Sequence, residues 1–376
     1  MFLKAAVAAG ALSFAFAAPP CTTVVVCKKA SSTGRVIVGH NEDTNAIRMD
    51  HAVVPARDWP VGAKLPAEAG NAVLDQVSHT LSFYWTSAIS PENIPIPGCD
   101  SMMNERGVFV TMNFGGRPGT KESEANLLEG GVRDQLLRVI AERASSARHG
   151  MELAAAILEK YGQSRPCGWI WVIADKDEAW VVQSMLGRHY ASVRVPDDEV
   201  AVIPNVLTVR ELPCPGFDAG HSSADVRNGI DDFSRRFQRK DWFMNAHSVS
   251  RYRQCAGILL DKPYLGEVRF SLKPKTKVGV ETVKRMLSSH AMDGEARHSE
   301  ESGPVCRDQT AESTVCEMGG ETSKAMLYVT SGPPCSNQWK AWNPFGQGLP
   351  EGVSMKHPCR RLDEQFDRKK TYSLED

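Results

Sequence analysis

The sequence predicts an α+β domain. Blocks of β-branched and aromatic residues lie toward both ends of the chain, and two amphipathic helical stretches lie between them. No internal repeat and no clear linker divides the 376 residues. That length is enough for one large core or two ordinary ones. With strands on both sides of the helices, we expect one domain over residues 21–360.

The chain opens on an apolar leader. Lys4 supplies a short positive start, and AAVAAGALSFAF is too short to span a bilayer comfortably. Ala15-Phe16-Ala17 has the small-x-small form of an export-signal cleavage site. We expect residues 1–17 to be a signal peptide, 18–20 a short remnant, and the protein to be exported to a periplasm, medium or secretory lumen. No later stretch approaches ~20 consecutive apolar residues, so no membrane association is expected after signal removal.

A β-hairpin follows. Thr22 to Val26 are β-branched throughout, Ser31-Ser32-Thr33-Gly34 is turn chemistry, and Arg35 to Gly39 returns as a strand. The strand ends on His40, Asn41, Glu42 and Asp43, which the hairpin brings back near Cys21. Residues 51–100 read as loop-rich from their prolines and glycines. GVFVTMNFGG, 107–116, reads as a strand ending in Asn113. The helical spacing covers NLLEGGVRDQLLRVIAERA and then GMELAAAILEKYG, which stops at Gly162. GWIWVIADKDEAWVVQSM is strand, acidic turn, strand, and YASVRVPDDEVAVIPN continues the strands to Asn205. A polar helical region is expected over 226–256 and a further helix over 278–294. Residues 294–324 read as loop, 325–335 as a late strand, and 361–376 as a charged tail of disordered composition.

Composition excludes some classes. Hydrophobic residues make up 42% and charged residues 24%, as in ordinary globular proteins. The net charge of -1 gives no field to recruit nucleic acid. No C-x-x-C or H-E-x-x-H occurs, so zinc ribbons and common metalloprotease motifs are unsupported, and the HPC at 357–359 reads as structural. Ten cysteines suit an oxidising compartment. Withholding Cys21 as a catalyst leaves an odd number, so at least one more is free or intermolecular.

Three readings of Cys21 compete. A lipid anchor fits poorly, because Pro20 and Ala18 occupy the places of a small and an aliphatic residue. A disulfide is the default for a secreted cysteine. The third reading is an N-terminal nucleophile, whose α-amine, with a pKa of roughly 7.7–8.0, takes the proton from its own thiol. That reading requires removal of the 18–20 remnant, for instance by attack of the Cys21 thiol on the Pro20 carbonyl.

Six ordered blocks resemble a known family: PPCTTVVVCKKASSTGRVIVGHNED; GVFVTMNFGG; ERASSARHGMELAAAILEKYG; WIWVIADKDEAWVVQSMLGRHYASVRVPDDEVAVIPN; SVSRYRQCAGILL; and STVCEM with TSGPPC. They look like the cysteine dipeptidases related to dipeptidase A and the secernins. These are N-terminal nucleophile (Ntn) hydrolases, distantly similar to bile salt hydrolase and penicillin V acylase. The likeness covers most of residues 21–350. It implies a four-layer αββα sandwich, with the helices of 124–162 covering one face. It implies hydrolysis of dipeptides or short peptides through an acyl-enzyme, with no metal or organic cofactor. An acylase acting on non-peptide amides and a non-catalytic secreted binding protein are the alternatives. A homo-oligomer is left open.

Site roles follow from the same resemblance. Cys21 is the nucleophile and Asp43 the carboxylate that holds it and its amine; turn capping is Asp43's ordinary role. Asn113 matches the oxyanion donor, and Asn205 the residue holding the amine or substrate. Arg251 matches an arginine near the nucleophile that lowers the thiol pKa or grips a substrate carboxylate; by itself it reads as a surface helix charge. Arg253 is the neighbouring candidate, and helix geometry keeps the two from facing one site. His40 and Asn41 are expected on the substrate side. His40 departs from the family pattern, which has arginine there. Glu42 receives no role.

Overall fold

The computed structural model describes residues 21–346, apart from 47, 66, 68–69, 92–94, 120, 122–123, 292 and 320–323. The expected signal, the 18–20 remnant and the charged tail lie outside the described residues.

The opening hairpin is strand β1 (Thr22–Val26) with β2 (Ile37–Asp43). Strand β2 runs on through the polar cluster, which therefore lies inside the strand and not after it. Next come β3 (Arg48–Val54) and four two-residue strands, β4 (Arg57–Asp58), β5 (Lys64–Leu65), β6 (Leu74–Asp75) and β7 (His79–Thr80). Strands β8 (Phe83–Ile89), β9 (Pro95–Asn104) and β10 (Phe109–Phe114) follow. The loop-rich expectation for 51–100 is thus corrected. Proline is tolerated as the first residue of β9, and β3 is an edge strand, so prolines and glycines there did not preclude pairing.

Helices α1 (Gln135–Arg143) and α2 (Ala147–Tyr161) come next. The helical spacing from 126 overshot, because Gly130 and Gly131 sit at φ 78° and 75°, outside the helical region. Helix α2 begins at its cap Ser146, whose side chain accepts from the His149 amide, and stops at Gly162 (φ 77°). The acidic turn between β11 (Gln163–Ala174) and β12 (Ala179–Gly187) is held by Asp175. Its Oδ1 accepts from the amides of Asp177 and Glu178, and its Oδ2 from Ala147 in the first turn of α2.

Strand β13 (His189–Arg194) and β14 (Val200–Ile203) belong to different sheets, so the chain crosses between them at Val195–Glu199. The helical region expected over 226–256 is three separate helices, α3 (Ala224–Arg227), α4 (Phe233–Phe237) and α5 (Ala246–Leu260). Helix α6 (Val280–Leu287) is shorter than expected. The predicted loop 294–324 contains β15 (Thr310–Glu317), followed by β16 (Met326–Ser331) and β17 (Lys340–Trp342). TAESTVCE carries too few apolar residues to announce a strand. It is one because β2 and β16 flank it on both sides.

The strands form two antiparallel sheets, in the orders β14-β1-β2-β15-β16-β17 and β13-β12-β11-β10-β9-β8-β3. Alternation along each strand assigns its side chains to layers. In β11, Trp169, Trp171 and Ile173 pack under α1 and α2, whereas Ile170, Val172 and Ala174 face the other sheet. In β1, Val25 faces the other sheet, whereas Val24 and Val26 pack under α5 and α6. Three apolar cores between four layers make the αββα sandwich. Among the described residues no helix is long and apolar enough to cross a membrane.

Helix α6 sits on β2 at Gly39. A Cβ built there lies 2.3 Å from Val283 Cγ1 and 3.2 Å from Leu287 Cδ1. Val283 is β-branched and cannot swing away. Gly39→Ala should cost about 1–3 kcal/mol by overpacking, read by urea denaturation. The double variant with Val283→Ala should be less destabilised than the sum of its single changes. Strict additivity would show that the two positions do not clash.

Candidate active site

Strand register decides which polar side chains meet Cys21. Thr22 lies opposite Asn41 and Thr23 opposite His40, which puts Cys21 opposite Glu42. Opposed residues share a face. Cys21, Thr23, His40 and Glu42 therefore face the layer between the sheets. Thr22, Asn41 and Asp43 face the α5/α6 side. The run His40-Asn41-Glu42-Asp43, contiguous in sequence, is split between two layers.

On the inter-sheet side a chain of contacts runs from the thiol. Cys21 Sγ donates to Glu42 Oε1 at 3.5 Å, and Glu42 Oε2 lies 3.2 Å from His40 Nε2. His40 Nδ1 is 2.8 Å from Thr23 Oγ1, which donates to Asn113 Oδ1 at 2.5 Å. Thr23 has one proton and gives it to Asn113, so His40 Nδ1 must be the donor to Thr23. Asn113 Nδ2 donates to Ile203 O at 3.2 Å, and its second N–H is the one a substrate oxygen can use.

On the helix side the organising group is Arg251. Its Nη1 donates to Cys21 O at 2.5 Å and to Thr22 Oγ1 at 3.0 Å. Its Nη2 donates to Asn205 Oδ1 at 2.7 Å and Ser248 Oγ at 3.1 Å. Burial draws its pKa down to about 10, which leaves it charged at neutral pH. Arg253, two residues on, instead reaches the Leu265 and Gly266 carbonyls at the surface. Asn205 is held by its own Nδ2 on Phe114 O at 2.9 Å, and Trp242 Nε1 donates to its carbonyl.

Asp43 accepts from Thr310 Oγ1 at 2.6 Å through Oδ1, while its buried Oδ2 has no hydrogen-bond partner among the described residues. Burial pushes its pKa up to about 7, against the pull of the Thr310 hydroxyl and the charges of Arg251 and Arg307. Burial likewise drives the Cys21 thiol well above its usual value, reinforced by the charges of Glu42 and Asp43; the Asp43 backbone amide pulls the other way. With its peptide nitrogen joined to Pro20, the 4%-exposed Cys21 is thus a neutral, sequestered thiol.

The residues singled out by sequence are brought together, except for Arg253 at the surface and Asn41. Asn41 turns away from the thiol, donating to Leu287 O and Val305 O and accepting from Ser313. Thr23 and Glu42 join the site without having been assigned a role. The signal for both was available in period-2 alternation and hairpin register. Cys21, His40 and Glu42 also form a donor set for a metal ion, but each of their atoms already has a place in the hydrogen-bonded chain. Cys21, Cys27, Cys167, Cys214, Cys255, Cys306, Cys316 and Cys335 are not in disulfides.

Residues 101–314 match Peptidase family C69. "Probable dipeptidase B" of Lactococcus lactis is 26% identical over 72% of the chain and 60% of that protein. A "Dipeptidase" of Bifidobacterium longum is 22% identical over 72% of the chain and 58% of that protein. "Probable dipeptidase A" of Streptococcus pyogenes is 24% identical over 89% of the chain and 75% of that protein. The chain thus spans less than two thirds of the first two relatives. A penicillin V acylase from Agrobacterium tumefaciens is 9% identical, with a TM-score of 0.43 over 86% of each chain.

Asp43 gives the site a pH signature. Its usual value of 3.8 is raised to about 7 in the fold. Between these values the folded chain holds a proton that the unfolded chain has lost, so this contribution is fully present below pH 3.8 and vanishes as pH rises through about 7. Urea unfolding across that window should show wild type losing a few kcal/mol relative to Asp43→Asn, at about 1.4 kcal/mol per unit. Parallel profiles for the two proteins would refute the assignment.

Proposed function

The chain belongs to peptidase family C69, and on that premise we propose that it is a cysteine-dependent dipeptidase whose nucleophile is Cys21. The observation that carries this reading is Asp43 Oδ2, buried beside Cys21 with no hydrogen-bond partner among the described residues, on a carboxyl that burial raises to about 7 despite the charges of Arg251 and Arg307. Freeing the Cys21 amine by removal of the preceding residues supplies a cation whenever the amine is protonated. It also supplies a base on the nucleophile's own residue.

The amine takes the thiol proton, and the thiolate attacks the carbonyl carbon of the scissile peptide. The oxyanion that develops accepts from Asn113 Nδ2. Collapse expels the leaving amine, which takes the proton back, and leaves a thioester on Cys21. Water, deprotonated by the Cys21 α-amine, then attacks the thioester, the C–S bond breaks to release the acid, and the amine returns the proton to the Cys21 thiolate. Arg251 holds the Cys21 carbonyl and Asn205 through both steps. We assign Asn41 a positioning role, because its amide fixes Leu287 and Val305 and not the cleft. His40, 3.2 Å from Glu42 Oε2, stands where the resembled enzymes carry an arginine. We further propose that residues 1–17 direct export, on the strength of the leader sequence alone.

Intact mass and N-terminal sequencing of the purified mature protein come first, and the reading requires a start at Cys21. Dipeptides with a free N-terminus should then be cleaved, and Cys21→Ala should be inactive. Asn113→Ala should lower kcat by about 10²–10³ with little change in KM. A mature, active protein that retains Ala18 would overturn the mechanism. Cleavage of acyl amides in place of dipeptides would move the substrate class to an acylase.

A further inference from the structure

Four soft ligand side chains converge outside the candidate active site, although they lie far apart in the sequence. His290 follows α6, His298 ends a short 3-10 turn at Gly294–His298, Cys306 precedes β15, and Cys335 follows β16. Their ligating atoms all lie within 4.8 Å of one another. His290 Nε2 and His298 Nε2 are 3.0 Å apart, and His298 Nε2 is 3.7 Å from Cys306 Sγ and 3.4 Å from Cys335 Sγ. The two thiol sulfurs lie within 4.8 Å of each other.

We propose that His290, His298, Cys306 and Cys335 form a structural zinc site. A tetrahedral Cys₂His₂ centre with Zn–N near 2.05 Å and Zn–S near 2.3 Å has edges of about 3.3 Å between nitrogens and about 3.5 Å between nitrogen and sulfur. The observed separations straddle these values. The second shell agrees: His298 Nδ1 is hydrogen-bonded to the Asp308 carboxylate, which leaves Nε2 as the metal-facing nitrogen. Two thiols and two imidazoles suit zinc and exclude the hard cations calcium and magnesium. Binding displaces two thiol protons to solvent, so the filled site is neutral. A cleft of about 510 Å³, lined by Gly294, Arg297, His298 and Asp308, opens onto the cluster and serves as an entry path.

The zinc would act behind the catalytic machinery. It anchors the stretch 305–310 around Cys306, and that stretch acts on β2 in three ways. Asn41 donates to Val305 O, Thr310 donates to Asp43, and the Arg307 charge acts on Asp43. A metal there fixes the wall that holds Asp43. The rival is a Cys306–Cys335 disulfide, which would leave the opposed imidazoles without a shared partner.

The test uses the full-length chain, purified without chelator and dialysed against metal-free buffer. Elemental analysis should find stoichiometric zinc. Exchange for Co²⁺ should give the intense visible bands of tetrahedral cobalt together with a thiolate-to-cobalt charge-transfer band. Cys335→Ser should lose the charge-transfer intensity and most of the metal, whereas Cys214→Ser, elsewhere in the fold, should keep both. Removing zinc with a chelator should lower Tm, and added zinc should restore it. If Cys335→Ser does not fold, metal content and the cobalt spectrum of wild type still decide. Metal-free protein that binds no Co²⁺ under reducing conditions would overturn the proposal. So would a non-reduced peptide map linking Cys306 to Cys335 in protein as isolated. None of these readouts depends on peptidase activity, so they stand or fall apart from the role of Cys21.

Discussion

Arg251 reaches from α5 to the start of β1, and most of the site depends on that reach. One planar guanidinium holds the Cys21 carbonyl, the Thr22 hydroxyl, Asn205 beyond the end of β14, and Ser248 one turn back on its own helix. Every one of these partners is buried. Leaving one such acceptor without its donor costs about 1–3 kcal/mol. A lysine, a point charge without the fork, cannot hold partners on two sides at once. The backbone position of Cys21 is therefore over-determined by a residue 230 positions away.

Around that anchor the sandwich separates two kinds of chemistry. Between the sheets, apolar packing gives way at one end to the Cys21–Glu42–His40–Thr23–Asn113 chain, in which each hydrogen-bonding atom has a defined partner. Under α5 and α6, Asp43 and Arg251 share a layer with Asn41, and Asp43 keeps one oxygen unpartnered among the described residues. Buried polar networks are tolerated when their members are satisfied. The orphan oxygen is the exception, and it stands beside the residue whose amine would complete it. Strain of this kind concentrates where function is kept.

The segment from Cys306 to Thr310 links the two clusters of nucleophilic and ligating groups. It carries one ligand of the Cys₂His₂ group and the hydroxyl that Asp43 accepts from, with Asp308 orienting His298 between them. Whatever fixes the loop thus also fixes the carboxylate.

By itself the sequence determined the α+β class, the opening hairpin and the stop at Gly162, and through its resemblance it nominated Cys21, Asp43, Asn113, Asn205 and Arg251 as site candidates. These were legible because β-branched runs, helical spacing and turn residues act locally, and because the ordered blocks carry a family pattern. Only the tertiary structure decided which faces those residues occupy. His40 and Asn41 are adjacent in sequence and lie in different layers, since a strand turns each successive side chain over. The strand at 310–317 was invisible for a related reason. Its polar residues make sense only with Asn41, Asp43 and His51 across the sheets. Likewise His290, His298, Cys306 and Cys335 follow no ligand spacing, because three separate connections, and not one loop, bring them together. Local propensity reports on neighbours along the chain. Buried polar contacts join segments more than 200 residues apart, and the ligand set gathers residues from 290 to 335; packing, not local propensity, selects both.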